Sequence, residues 1–515
     1  MRGPYLAVAC SALVCAIPTR PPLPAQTIPG VDAIAARAPA PTAAFDPIRR
    51  GLGDDIKSYV DGLASGVESK LSSFVESGIL NYPNGFPAGT AVEKSLGVSN
   101  AALDALPTQV MNLPSYGNWT NGSWSLRIHG NVYKLPNVSQ SKIDDLADDF
   151  LIGTSVKDLN STEQAQARNV TRSIFVIQQA NRNVTMNLVN DVAVRANASG
   201  GAINARGGAQ IVHMPYNTTM EGDFDAFVEL KNTTGPRGGY LIPGNETFEI
   251  QTLNVYTKGT DSGNATAYLV PPTGLTVISD IDDILRVTKI YEPKQGILNT
   301  FARPFTPWLN MPEIYANWSA SIKNTHFHYL TTTPEQATRT YMEFIYKTYP
   351  LGSFDTRPLN FSDIKATLHI RRFLLDKVFQ TFPKRRFILV ADTSNHDVMV
   401  AYPAMFHDYP GQVACILLRN TSSTDAGDKF PYDTSGFKGI PQDNYMFFNV
   451  PNDLTHLDVE NGHCINKTIS QNVTFGQQGL PFGLGDKGSS AGQIRAPTIA
   501  AILTPLVAMV PLLLL

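Results

Sequence analysis

Short apolar segments alternate with amphipathic helical segments between residues 273 and 450. The predicted strands are 275–278, 326–330, 387–390, 414–418 and 445–449, and the predicted helices between them include 334–348 and 364–379. Such alternation favours an α/β fold with a mostly parallel sheet covered by helices. Ligands of such a sheet bind outside the carboxyl ends of its strands, so the residues that follow each strand are the candidates for chemistry.

Reactive or charged side chains follow three of these predicted strands. The first strand is followed by the carboxylates Asp280, Asp282 and Asp283, and the second by the hydroxyls Thr331 and Thr333. The third is followed by the carboxylates Asp392 and Asp397, and the basic helix before it carries Lys365, Arg371 and Arg372. Carboxylates that lie close together raise each other's pKa unless a cation or a reaction uses them. A carboxylate pair, a hydroxyl, a cation and an acidic metal site are the groups that phosphoryl transfer through an aspartate requires.

The order and spacing of these motifs resemble the haloacid dehalogenase superfamily. The stretches 278–283 (ISDIDD), 311–315 (MPEIY), 327–330 (FHYL) and 382–392 more closely resemble the catalytic domain of the actin-patch-type phosphatidate phosphatases. The resemblance covers about residues 273 to 450. It implies a Rossmann-like catalytic domain and hydrolysis of phosphatidate, or of another phosphomonoester, to an alcohol and phosphate.

The resemblance also implies a role for each candidate residue. Asp280 would attack phosphorus and form an aspartyl-phosphate, and Asp282 would protonate the leaving alcohol and then activate water. Thr331, with Thr333 as a second candidate, would bind the transferred phosphoryl group. The cation would be Arg371 by its spacing from Phe382, with Lys365 and Arg372 as further substrate-binding candidates. The expected Mg²⁺ ligands are Asp280, Asp282, Asp392 and Asp397.

Two departures from the family pattern leave alternatives open. Ile284 stands where Thr or Val is usual. The usual lysine of the third motif is not obvious: the spacing from Phe382 favours Arg371, whereas Lys365 is the nearest lysine upstream, and Arg and Lys are not interchangeable in geometry. A non-catalytic surface or wall glycoprotein with a degenerate phosphatase fold therefore remains an alternative. A metal-dependent glycosyltransferase that uses Asp280 and Asp282 is a second, but we find no nucleotide-binding motif for it.

Composition shifts predict six regions. They are a signal peptide (1–26), a helical or linker region (27–114), a β-sandwich-like accessory domain (115–271), the phosphatase domain (272–478), a linker (479–495) and a hydrophobic tail (496–515). The helical or linker region contains an amphipathic pattern at 46–80. The small residues Gly488, Ser489 and Ser490 before the tail are candidate sites for a GPI anchor, with a transmembrane tail as the alternative.

The sequence predicts a secreted protein at the cell surface, anchored to the plasma membrane or cell wall. Sixteen Asn-x-Ser/Thr sequons lie between Asn118 and Asn472, which favours a glycoprotein. Cys415 and Cys464 remain once the leader is removed, and in an oxidising compartment they are expected to form a disulfide, with two buried thiols as the alternative. The net charge of −3, without a basic block, gives no electrostatic support for nucleic-acid binding.

Overall fold

The computed structural model describes residues 98–471, except 152–153, 191–207, 220–221, 236–237, 245, 248, 258–263, 290–291, 358–363, 395 and 422–433. All of these residues belong to one compact unit, Pro47–Leu515. The predicted signal peptide, the amphipathic pattern at 46–80, the candidate anchor sites Gly488, Ser489 and Ser490, and the hydrophobic tail lie outside the described residues. Among the helices that the structure describes, none is long and apolar enough to cross a membrane.

The first half of the described chain forms a mixed sheet. Its strands are β1 (Thr108–Asn112), β2 (Ser115–Thr120), β3 (Ser123–Lys134), β4 (Ile177–Gln178), β5 (Thr185–Val189), β6 (Ala209–His213), β7 (Asp223–Leu230), β8 (Gln251–Thr257) and β9 (Ala265–Leu269). The strand order is β1-β3-β2-β9-β8-β5-β6, and β4 and β7 pair with the long β3. All pairs are antiparallel except β2 with β9.

A two-residue turn connects the second and third strands of this sheet. Asn121 and Gly122 both have positive φ, which suits the tight hairpin turns that match strand twist, and they connect β2 to β3. The first residues of β3 alternate between buried and partly exposed, whereas its second half is buried on both faces. A strand buried on both faces must be covered twice, and part of the second cover comes from later in the chain: Arg127 bonds Asp355, and Arg339 lies over the Tyr133 ring.

Residues 275–448 form a six-stranded sheet in which every pair is parallel. Its strands are β10 (Leu275–Ser279), β11 (His326–Pro334), β12 (Ser353–Arg357), β13 (Arg386–Asp392), β14 (Val413–Arg419) and β15 (Tyr445–Phe448), in the order β12-β11-β10-β13-β14-β15. The chain therefore runs outward in one direction from β10 and in the other from β13. The predicted α/β class with a parallel sheet is confirmed, and the separate β-sandwich domain stays a prediction.

Eight α-helices lie among the described residues. They are α1 (Asn100–Asp104), α2 (Gln140–Phe150), α3 (Ser161–Ile174), α4 (Pro293–Phe301), α5 (Met311–Ser321), α6 (Glu335–Thr348), α7 (Ile364–Thr381) and α8 (His396–Asp408). On one face of the parallel sheet, Val277 packs with residues of α5 and α6. On the other face, Ile278 packs with residues of α7 and α8 and with Tyr116 and Tyr268 of the mixed sheet. Because neighbouring side chains of a strand point to opposite faces, β10 is buried throughout and fixes the residues that follow it.

A buried group of charged side chains joins the two sheets. We call Arg127 (β3), Asp225 (β7), Asp355 (β12) and Lys377 (α7) the joint cluster. Arg127 donates from Nε and Nη2 to the two oxygens of Asp225, both at 2.8 Å, and from Nη1 to Oδ2 of Asp355 at 2.6 Å. Lys377 donates to Oδ2 of Asp225. The cluster contains two cations and two anions, and it connects the mixed sheet to the helix that carries Arg371.

Candidate active site

The carboxylates that follow β10 and β13 meet at the point where the chain reverses its direction across the sheet. The two strands are paired neighbours, and the Asp280 amide donates to the Val390 carbonyl at 2.8 Å. Asp280 and Asp392 are almost fully buried. Ligand sites of open α/β sheets lie at such a switch point, beyond the carboxyl ends of the strands. The predicted location of the site therefore follows from the observed strand order.

Asp280 is held by backbone on one side and by a cation on the other. Its Oδ1 accepts a hydrogen bond from the Ile281 amide at 2.9 Å, and its Oδ2 lies 3.2 Å from Nη2 of Arg371. Burial raises the pKa of Asp280 to about 6; Arg371 opposes this rise, and the nearby Asp282 and Asp397 add to it. With a pKa of about 6 the Asp280 carboxyl is mostly ionised at neutral pH, and a further cation beside it would favour the carboxylate form that a nucleophile needs.

Arg371 is the cation that the structure brings to Asp280. Its Nε donates to Oδ2 of Asp397 at 2.7 Å, and the residue is 1% exposed. One guanidinium therefore links the carboxylate after β10 to the first turn of α8. Lys365 lies in the first turn of α7, and its side chain is outside the described set. The Arg372 side chain pairs with Asp376 and Asp408 instead.

Asp282 is bound by residues that the sequence analysis did not identify. Arg286 donates to Oδ1 of Asp282 from Nε at 2.9 Å and approaches it with Nη2 at 2.8 Å. The Thr288 hydroxyl donates to the same oxygen at 2.7 Å. The signal in the sequence was an arginine and a threonine four and six residues after an aspartate that had to be buried, because buried charges are almost always paired.

Asp283 builds the loop that carries Asp280 and Asp282. Its φ of +56° lies in the left-handed region, where Asp is more readily accommodated than most residues. Its Oδ1 accepts hydrogen bonds from the amides of Thr288 (3.0 Å) and Lys289 (2.7 Å), and Arg419 donates to its carbonyl at 2.8 Å. The third carboxylate of the acidic cluster is therefore occupied by backbone amides.

A row of buried hydroxyls ends β11. Thr331, Thr332 and Thr333 are each at most 2% exposed. The Thr331 hydroxyl oxygen accepts from the Thr333 amide at 3.1 Å, and the Thr333 hydroxyl lies 3.5 Å from Oδ2 of Asp282. The two threonines considered for phosphoryl binding thus lie beside the second aspartate rather than on separate parts of the surface.

The donor set at the switch point fits a hard divalent cation held by few protein ligands. Oδ2 of Asp280 and Oδ1 of Asp392 are buried and accept no hydrogen bond from any residue that the structure describes. Burial, with the charges of Asp283 and Asp280, raises the pKa of Asp392 well above its ordinary value, so a cation here would relieve an electrostatic conflict. Mg²⁺ typically binds one or two carboxylates and keeps several waters.

The four-carboxylate metal site predicted from the sequence stays a prediction. Across the described part of the chain, no three Asp, Glu, His or Cys side chains are arranged to hold a metal ion. Asp282 is engaged by Arg286 and Thr288, and Asp397 by Arg371. Oδ1 of Asp397 also accepts no hydrogen bond from the described residues, so Asp280, Asp392 and Asp397 each keep one oxygen that could bind a cation.

The predicted disulfide is present in the structure. Cys415, in the middle of β14, is bonded to Cys464, and their Cα atoms are 5.6 Å apart. Both cysteines are fully buried. The bond ties the segment after β15 to a central strand of the parallel sheet.

Comparison with known proteins supports the resemblance seen in the motifs. Residues 275–420 match the family model described as the catalytic domain of phosphatidate phosphatase APP1. The chain is 26% identical over 228 residues to phosphatidate phosphatase APP1 of Saccharomyces cerevisiae, an alignment that covers 42% of this chain and 38% of that protein. The predicted family resemblance is confirmed for this segment, and the alignment leaves most of the relative's length uncovered.

Two solved structures are also similar to parts of this chain, but only weakly. A ferredoxin-NADP+ reductase from Plasmodium falciparum covers 60% of this chain and 94% of its own, with 9% identity and a TM-score of 0.13. An Amycolatopsis cytochrome P450 reductase covers 60% of this chain and 69% of its own, with 10% identity and a TM-score of 0.12. Neither likeness carries weight for the fold or the function.

Proposed function

We propose that the chain is a Mg²⁺-dependent phosphatase that hydrolyses phosphatidate to diacylglycerol and phosphate through an aspartyl-phosphate on Asp280. The observation that carries the proposal is the placement of Asp280 beside Arg371 and the unpartnered Asp392 oxygen, within the segment that matches a phosphatidate phosphatase catalytic domain. A buried nucleophile, a cation and an acidic metal position in one cleft are the parts of phosphoryl transfer.

In the first half of the reaction, the chain's own residues supply the nucleophile, the acid and the groups that bind phosphate, and the metal is the one further group needed. The Asp280 carboxylate attacks phosphorus while the bond from phosphorus to the alcohol oxygen breaks. Asp282 gives a proton to that oxygen, and Arg371 and Thr331 stabilise the charge on the phosphoryl oxygens. When bound, Mg²⁺ supplies charge neutralisation at the phosphoryl oxygens and at Asp280.

The second half returns the enzyme to its starting state. Asp282 takes a proton from water, the water oxygen bonds to phosphorus, and the bond between phosphorus and Asp280 breaks. Phosphate leaves and Asp282 is again protonated. Microscopic reversibility gives one residue both the acid and the base roles.

We also propose that the chain works as a GPI-anchored glycoprotein on the outside of the cell. The apolar N-terminal stretch, the sequons and the hydrophobic tail support this localisation, and the Cys415–Cys464 disulfide suits an oxidising compartment. A tethered enzyme is suited to a phospholipid substrate. Incubation of intact cells with a phospholipase that cleaves GPI anchors should release the protein into the medium, whereas retention in the membrane fraction would favour a transmembrane tail.

Phosphate release tests the catalytic proposal. The purified full chain is assayed with phosphatidate and with 4-nitrophenyl phosphate, in Mg²⁺ and in a chelator, beside Asp280→Asn. Asp145→Asn is the matched control, because Asp145 is exposed on α2, outside the site. We expect Mg²⁺-dependent release that is lost in Asp280→Asn and kept in Asp145→Asn. Equal rates for wild type and Asp280→Asn would refute the nucleophile assignment, and release from 4-nitrophenyl phosphate alone would refute the lipid substrate.

A further inference from the structure

We propose that Arg286 and Thr288 are positioning residues that fix one oxygen of Asp282, so that the other oxygen alone exchanges a proton with the leaving alcohol. The inference rests on the proposed phosphatase function and deepens it. It concerns the clamp formed by Arg286, Thr288 and Tyr341 around Asp282. This clamp should set which phosphate esters the site can cleave.

The two oxygens of Asp282 have different surroundings. Oδ1 faces Nε and Nη2 of Arg286, at 2.9 and 2.8 Å, and the hydroxyl of Thr288, at 2.7 Å. Oδ2 has only a long contact, 3.5 Å, with the Thr333 hydroxyl. An oxygen that accepts two hydrogen bonds and lies 2.8 Å from a second nitrogen of the guanidinium has no room for a proton of its own. When Asp282 carries a proton, that proton must therefore be on Oδ2, on the side of the hydroxyl row.

Arg286 is itself held in place. Its Nη2 donates to the Tyr341 hydroxyl at 2.6 Å, and its guanidinium carbon lies 3.9 Å from the centre of the Tyr341 ring. A second ring, that of Phe305, is 4.7 Å away, and Arg286 is fully buried. A guanidinium enclosed by two rings and bonded to a tyrosine hydroxyl cannot change its rotamer freely. Because Arg286 is fixed, its contacts hold the Asp282 carboxylate in one orientation.

Thr288 accounts for the unusual residue at position 284. The Ile284 side chain is fully buried in the apolar core and offers no hydroxyl. The hydroxyl that contacts Asp282 comes instead from Thr288, whose amide is anchored on Asp283 at 3.0 Å. The departure at Ile284 thus leaves Asp282 with a hydroxyl donor.

In the first half of the reaction, the clamp should matter only when the leaving group needs a proton. As the bond between phosphorus and the ester oxygen breaks, its electron pair goes to that oxygen, and Oδ2 of Asp282 gives up its proton there. An alkoxide is a poor leaving group and needs this proton, whereas 4-nitrophenolate is stable without it. A positioned acid contributes about 10²- to 10⁴-fold to the rate when the leaving group requires it.

The test compares an alkyl phosphate with an aryl phosphate in the full chain. Thr288→Val removes the hydroxyl at nearly constant volume, and Thr288→Ser keeps it. The rate of the first turnover, measured as a pre-steady-state burst of the released alcohol, isolates the acid step from the hydrolysis of the aspartyl-phosphate. We expect Thr288→Val to lower this rate for glycerol phosphate or a short-chain phosphatidate by about tenfold or more, within the range that a positioned acid supplies. The burst rate of 4-nitrophenol release from 4-nitrophenyl phosphate should change less than about threefold, and Thr288→Ser should restore the alkyl rate. Arg286→Met should show the same selectivity more strongly.

The controls separate positioning from stability and from the function itself. A structural defect would lower both rates together and would reduce the thermal unfolding midpoint, so parallel losses in Thr288→Val would overturn the inference. If Arg286→Met does not fold, Tyr341→Phe replaces it; this variant loses the hydroxyl that accepts from Arg286 and that also hydrogen-bonds Thr333 and Thr300. Absence of leaving-group selectivity in Asp282→Asn, with an active wild type, would overturn the inference but keep the phosphatase. An inactive wild type would overturn both.

Discussion

The joint cluster should respond to mutation through its charge balance. Asp225→Asn removes one of two anions and leaves Arg127 and Lys377 facing Asp355 alone. All of the affected side chains are at most 10% exposed. Breaking a buried pair in this way costs about 3–5 kcal/mol, because an uncompensated charge stays in the interior. We therefore expect Asp225→Asn to lower the free energy of unfolding by about that amount.

Removing the opposite charge should return much of the lost stability. Lys377→Met alone leaves two carboxylates with one arginine, and its cost should be similar to that of Asp225→Asn. The double variant has one cation and one anion, so it should be about 2–3 kcal/mol more stable than the sum of the single losses predicts.

Urea unfolding of the four proteins at pH 7 and fixed salt gives the coupling energy directly. Strictly additive losses would refute the reasoning, because they would mean that Asp225 and Lys377 act as independent polar groups and not as a balanced cluster. A matched exposed pair, Glu343 with Lys347 on α6, should give a coupling of about 0.5 kcal/mol or less.

Three further predictions follow from the site and the core. Burial lowers the pKa of His129 from its ordinary 6.5 to about 4 and that of His328 to about 3, so each neutral imidazole stabilises the fold above pH 6.5 and loses this contribution as the pH falls. The free energy of unfolding in urea should therefore be about 2–3 kcal/mol lower at pH 4.5 than at pH 7 for each imidazole, and His129→Gln should reduce this difference. Arg371→Met should lower kcat by about 10²- to 10³-fold, with Arg371→Lys in between, in steady-state phosphate release; an unchanged rate would contradict its role. Replacing Cys415 and Cys464 by alanine should cost about 4 kcal/mol by the loop-entropy relation for a separation of 49 residues, and an unchanged thermal midpoint would contradict it.

The sequence predicted the parallel sheet well wherever its strands are apolar. The observed strands β10, β11, β13, β14 and β15 contain or nearly coincide with the five predicted segments, and the helices 334–348 and 364–379 agree with α6 and α7 within two residues. Strand β12 was missed because Ser353–Arg357 has no apolar run. Its buried Ser353 bonds His328, and its Asp355 bonds Arg127, so the strand is stabilised by polar partners that only the folded chain brings together.

The candidate site was predictable to the extent that it depends on strand ends. Asp280 follows β10, Asp392 is the last residue of β13 and Thr331 lies in the second half of β11, so the topology alone brings them to one edge of the sheet. Choosing between Arg371 and Lys365 required the rotation of α7, and finding Arg286 required packing against Tyr341, 55 residues away in the sequence. Contacts of that separation depend on side-chain packing, which local patterns do not report.

The Cys415–Cys464 disulfide has a mechanical consequence. Tension applied to the chain beyond Cys464 passes through a covalent bond into β14, which lies between β13 and β15 in the sheet. The residues between Cys415 and Cys464, including the edge strand β15, carry none of this tension. The hydrogen bonds between β14 and β15 are therefore not broken one after another. Pulling on the C-terminal side would instead shear a central strand against two neighbours at once, so the fold should resist extension from that end until the disulfide is reduced.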